Sequence, residues 1–185
     1  MEEILEYLQV FLLSILPISE VRGAIPYGIA VLKLKALPVF LISLFGNLLI
    51  GFFLLPILEK LFSFWSLKFK IVKQFFDWLF ERTRKKFSPY HQKWQNLGLC
   101  LFVALPLPFT GAWTGSLAAF LFGIKKKMAL ISISLGVLIA SAITLALTLL
   151  GVKLEKFFGY QTFILLILTL SFIWIIFEKA IKRKK

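Results

Sequence analysis

The sequence predicts an all-α integral membrane protein. Its core is an inverted repeat: a re-entrant helical hairpin followed by a transmembrane helix, twice, with an amphipathic helix between the halves and one further transmembrane helix at the C-terminus. Three observations carry this. Of 185 residues, 59% are hydrophobic and the mean hydropathy is +0.89, whereas soluble domains are close to half apolar. Three segments, 37–58, 128–151 and 160–177, are long and apolar enough to cross about 30 Å of hydrocarbon. Two more apolar regions, 4–32 and 97–124, are cut at their centres by proline, glycine and, in the first, by charge.

The first interrupted region has apolar runs Ile4–Leu16 and Ala24–Leu32 on either side of LPISEVRGAIPYG. Each run is too short to span as a helix. Pro17 and Pro26 lack a helical donor, and each disfavours helix in the residue before it. Short helix, broken tip, short helix is the pattern of a hairpin that enters and leaves by one face; a single kinked span is the alternative. The second region repeats it as LGLCLFVALP, LPFTGAWTG and SLAAFLFGI, with Pro106 and Pro108 at the break. Setting Pro17 on Pro106 aligns the breaks, and Gly46 then falls near Gly136 in the spans that follow. Repeat 1 covers about 4–58 and repeat 2 about 97–151.

Between them, residues 59–96 carry Phe62, Trp65, Phe69, Val72, Phe76 and Leu79 at spacings of three and four, with lysines and arginines on other faces. That is an amphipathic helix in the headgroup layer; packing on the bundle is an equal use for the same stripe.

Charge tests the topology. There are 22 Lys+Arg against 9 Asp+Glu, a net charge of +13. With two hairpins that do not cross and three helices that do, 17 basic residues fall on one face and 4 on the other, with Arg22 in the membrane. The positive-inside rule then puts the 59–96 loop and the C-terminus in the cytoplasm and the N-terminus outside. It also opens the two hairpins from opposite faces, the arrangement of secondary transporters with inverted repeats. In this setting the basic excess reports orientation and contact with anionic lipid headgroups rather than nucleic acid.

Irregular backbone at membrane depth is tolerated only where protein or a water-filled cavity satisfies it, so the two tips should meet and border a polar cavity. Glu20 and Arg22 are the strongest candidates there, because ionisable groups in the bilayer mark substrate or proton paths. Glu20 is a candidate proton site, since desolvation and a neighbouring arginine pull its proton affinity in opposite directions. Arg22 offers a fork of donors to carboxylate or phosphate. A structural ion pair that fixes the tip is the alternative.

In the second tip, Thr110 and Thr114 offer hydroxyls and Trp113 an aromatic face with one N–H. Gly111 and Gly115 permit close backbone approach. New half-helices expected near Gly23 and Trp113 would present N–H groups to an anion, although small residues four apart also serve helix packing. Asn47 reads as an interhelical hydrogen bond and His91 as a solvated loop residue. With one cysteine and one histidine, no disulfide, metal site or cofactor is expected, and no nucleophile–base pair suggests an enzyme. The acidic N-terminus lacks the features of a cleaved signal peptide.

The pair PISEVRGAIPYG and LPLPFTGAWTG resembles the prokaryotic small multidrug export protein family over nearly the whole chain. The layout is also similar to the DedA (VTT-type) superfamily, some members of which are implicated in proton-coupled movement of lipids such as undecaprenyl phosphate. The resemblance implies a prokaryotic inner-membrane transporter, with Glu20 and Arg22 in the first motif and Pro106 to Gly115 in the second. Unlike DedA proteins, the second tip carries no arginine. The expected function is proton-coupled movement of an amphiphile, either a lipid-linked phosphate or a hydrophobic drug-like compound. An uncoupled lipid scramblase or membrane-organising protein is the alternative. A homodimer is compatible with so small a transporter.

Overall fold

The structure, a computed structural model, describes residues 2–69, 74, 78, 92–107 and 110–153. The expected C-terminal span 160–177, Pro108, and the part of the linker holding Val72, Phe76, Leu79 and His91 lie outside the described residues. Residues 1–145 form one compact unit and 146–185 a second, of which the end of one helix is described.

Every regular element among the described residues is helical. Helix α1 is Glu2–Ile15 and α2 is Glu20–Pro26, which runs on into a π-helical segment, Tyr27–Val31. Pro17 ends α1 by withholding the donor that Leu13 would have received; the Leu16 N–H takes that carbonyl instead, at 3.3 Å. Pro26 sits inside the second helix, and immediately after it the coil widens, the Leu32 N–H reaching the Tyr27 carbonyl at 3.0 Å across five residues. The segment closes with Lys33 at φ 58, the left-handed conformation that commonly terminates helices. The chain doubles back: the Tyr27 hydroxyl donates to Gln9 Oε1 at 3.2 Å, and a Cβ on Gly28 would lie 3.0 Å from the Val10 side chain.

Helix α3, Ala36–Lys68, is unbroken for 33 residues, about 50 Å at 1.5 Å per residue. It therefore continues ten residues beyond the expected end at 58, taking in Phe62 and Trp65. Nothing between Ile57 and Lys68 breaks a helix, so the change from apolar to amphipathic composition at Glu59 does not end it. Phe62 packs edge-on against Phe120 at 5.7 Å, and Trp65 stacks on Phe69 at 5.4 Å.

The second interrupted region forms α4, Gln92–Ala104, and α5, Ala112–Phe122. Trp94 at the start of α4 and Phe122 at the end of α5 line one cleft, so these helices also fold back on each other. Helix α6 is Lys126–Lys153.

Helices α3 and α6 are long and apolar enough to cross a membrane, with only 28% and 39% of their most apolar windows buried. Their polarity is inside-out. In α3 the buried face is Val39, Ser43, Gly46, Asn47, Gly51 and Leu55, while Leu41, Phe45, Phe52 and Phe53 are exposed. Small and polar residues inside, large apolar ones outside, is how helices pack in lipid, where close approach and hydrogen bonds replace the hydrophobic drive. This is a membrane protein.

Each hairpin is seated on the following long helix at a glycine. A Cβ on Gly46 would run into Ser14 Oγ, and one on Gly136 would lie 2.7 Å from Val103 Cβ and 2.8 Å from the Cys100 carbonyl. A backbone carbonyl cannot swing aside, so Gly136→Ala should lower stability by about 1–2 kcal/mol through overpacking. Equilibrium unfolding in detergent, followed by tryptophan fluorescence, measures this.

Candidate functional site at the two helix breaks

Breaking a helix strands its last carbonyls, and buried ones must find donors elsewhere in the protein. The end of α1 shows where they go. The Leu13 and Leu16 carbonyls accept from the N–H groups of Leu16 and Glu20. Ser14 O accepts from Asn47 Nδ2 at 3.1 Å, and Ile15 O accepts from the Trp113 indole Nε1–H at 3.0 Å. One of the four partners thus comes from the second hairpin.

The second break is closed from the opposite direction. Arg22 Nη2 lies 3.1 Å from Val103 O, 2.8 Å from Leu105 O and 3.1 Å from Thr110 Oγ1, sharing its two protons among three oxygens. The Thr110 hydroxyl has Leu105 O at 2.7 Å and Leu107 O at 2.9 Å as acceptors. Arg22 therefore terminates α4 as Trp113 terminates α1.

Glu20 joins the two. Its Oε2 accepts from Arg22 Nη1 at 2.6 Å. Its Oε1 accepts from the Trp113 backbone N–H at 3.3 Å, in the first turn of α5, where a carboxylate also meets the positive end of the helix dipole. The Asn47 side chain interacts with the same carboxylate. Glu20 is 3% exposed and the Arg22 side chain 14%. The Glu20 backbone has φ 49, the left-handed region that costs a non-glycine residue about 1–2 kcal/mol. The carboxylate's contacts hold it there.

Glu20 and Arg22 thus meet Thr110, Gly111 and Trp113 across the two breaks. Gly111 is glycine of necessity, because a Cβ would land on the Glu20 carboxylate. Thr114 turns inward, its hydroxyl 3.3 Å from Gly111 O within the same turn, and Gly115 packs on Val103 rather than at the tip. Gly23 lies against Ser19. Pro17 and Pro106 mark the breaks, while Pro26 is within α2. The first half-helix starts at Glu20, three residues before the expected Gly23, because Glu20 itself adopts the turn conformation. The tips close directly on each other at Glu20.

Asn47 is an interhelical hydrogen bond, as expected, and also a neighbour of the charged pair, which was not. Its position one residue after Gly46 in a span was the available signal. Within this interior Arg22 Nε, Asn47 Oδ1, Ser43 Oγ and Ser116 Oγ are buried without a protein partner.

A family profile described as "Putative small multi-drug export protein" matches residues 20–143, more than half of the chain. The chain belongs to this family. The match begins at Glu20, just after the first break, and contains α2, α3, the second break and α5, so Glu20, Arg22, Thr110, Gly111 and Trp113 lie inside the region that defines the small multi-drug export proteins, while α1 and Pro17 lie outside it. Comparisons with curated proteins and with solved structures return no match.

Proposed function

We propose that this small multi-drug export protein is a proton-coupled secondary transporter of the prokaryotic inner membrane. In this reading the two breaks are closed halves of a midplane gate, and the Glu20–Arg22 pair is its latch. The observation that carries it is the placement of Arg22: one guanidinium holds both the Glu20 carboxylate and the stranded carbonyls of the other hairpin. Protonating Glu20 removes the counter-charge of a buried arginine, and an unpaired buried charge is costly. The arginine must then move toward water or an anion, releasing Val103 O and Leu105 O and parting the tips. Unpartnered polar atoms on Arg22, Asn47, Ser43 and Ser116 would line the path that opens.

A repeated packing contact is what an alternating-access reading with two inverted halves expects. Gly46 packs on Ser14 and Gly136 packs on Val103, with Ser14 and Val103 89 residues apart and the two glycines 90 apart. Two such hairpins, opened in turn from opposite faces, expose one site to each side. The substrate is an amphiphile: a lipid-linked phosphate drawn to Arg22, or a hydrophobic drug-like cation drawn to Glu20. The basic loop and C-terminus face the cytoplasm, against anionic lipid.

Proteoliposome flux of a fluorescent lipophilic cation and of a fluorescent lipid phosphate, with and without a pH gradient, tests this. Gradient-driven flux should fall to the protein-free level in Glu20→Gln, normalised to folded protein by size exclusion. Wild-type coupled flux in that variant would overturn the role given to Glu20.

A further inference from the structure

Away from the breaks, the opposite end of the second hairpin carries two adjoining clefts. The first, about 470 Å³, runs between α4 and α5 and is lined by Trp94, Gly98, Leu99, Phe102, Ala118 and Phe122, almost without polar surface. Gly98 makes a notch in it, since no atom lies within 4 Å of where its Cβ would be. The second cleft, about 490 Å³, lies between the far part of α3 and the end of α5. It is bordered by Leu55, Phe62, Phe120, Glu59, Lys125 and Lys126. Ile124 lines both, so the two clefts are neighbours.

We propose that this pair of clefts binds one anionic phospholipid of the surrounding leaflet, an acyl chain in the α4–α5 groove and the phosphate at Lys125 and Lys126. The charge pattern selects the headgroup. Two lysines stand at the N-terminus of α6, whose first helical bond runs from Ala129 N–H to Lys125 O at 2.9 Å. The free N–H groups and dipole of that end add to their field. Glu59 is the acidic member of the lining and offsets one lysine, leaving the cleft net positive. The groove selects the chain, because a free phosphate would leave an apolar channel of equal size unfilled. Trp94 at the groove mouth shares this end with the lysines, as amphipathic rings do at headgroup depth. The site is separate from Glu20 and holds whether or not the protein transports.

The test is native mass spectrometry of the full chain in neutral detergent, with phosphatidylglycerol or phosphatidylcholine of identical chains added. Wild type should retain phosphatidylglycerol roughly tenfold more than phosphatidylcholine, as two lysines near a headgroup warrant. Lys125→Gln with Lys126→Gln should abolish the preference. Gly98→Leu, which fills open space, should weaken retention of both lipids. Thermal melts matching wild type identify folded variants. Equal retention of the two lipids by wild type, an unchanged preference in the lysine variant, or no effect of Gly98→Leu would each overturn the proposal. So would a dimer that Gly98→Leu dissociates while lipid retention persists, which would assign the groove to a second copy.

Discussion

Arg22→Met should destabilise the folded protein by about 3–5 kcal/mol, the usual cost of removing one member of a buried ion pair. The loss has two parts. The Glu20 carboxylate loses its charged partner and keeps the Trp113 N–H, the Val103 carbonyl loses its side-chain donor, and Leu105 O is left with the Thr110 hydroxyl alone. Removing both charges, in Glu20→Gln with Arg22→Met, should cost less than the sum of the single variants, with a coupling of about 0.5–3 kcal/mol for groups in one network. Denaturant titration in detergent measures all three. An Arg22→Met variant as stable as wild type would show that the guanidinium is not what closes the second break.

The second large effect is expected at Gly111. Its Cα lies against the Glu20 carboxylate, which is pinned by Arg22 on one oxygen and by the Trp113 N–H on the other. A methyl group there must expel that carboxylate, so Gly111→Ala should cost about 3 kcal/mol, the upper end for overpacking. Two comparisons isolate the cause. In a Glu20→Ala background the same methyl has room, and its cost should nearly vanish. Gly98→Ala, in open space within α4, should instead stabilise by up to about 1 kcal/mol through helix propensity. If Gly111→Ala costs the same with and without Glu20, the steric account fails.

Much of this was legible in the chain and some was not, for physical reasons. Hydropathy and length reveal α3 and α6 because crossing hydrocarbon leaves little choice of composition. Pro17 and Pro106 reveal the breaks because a missing donor acts locally. Glu20 and Arg22 stand out because charge is expensive in an apolar chain. What local pattern does not carry is which groups answer the stranded carbonyls. The donor to Ile15 O is Trp113, and the donor to Val103 O is Arg22, pairings made only by tertiary contact. Nor does a pattern mark the end of α3, where a helix runs through a change of composition. The left-handed turn at Glu20 was hidden as well, since glutamate shows no local preference for it and Gly23 does.

The reciprocal closure of the breaks has a consequence for biogenesis. When the first hairpin leaves the ribosome, Ile15 O has no donor, for Trp113 lies 98 residues downstream. At about 5–20 residues per second, that carbonyl waits about 5–20 s. Until then Arg22 has no Val103 or Leu105 carbonyl to hold, and Glu20 no α5 to face. The N-terminal half is an unfinished insertion intermediate whose polar groups need water, the translocation machinery or lipid headgroups as temporary partners.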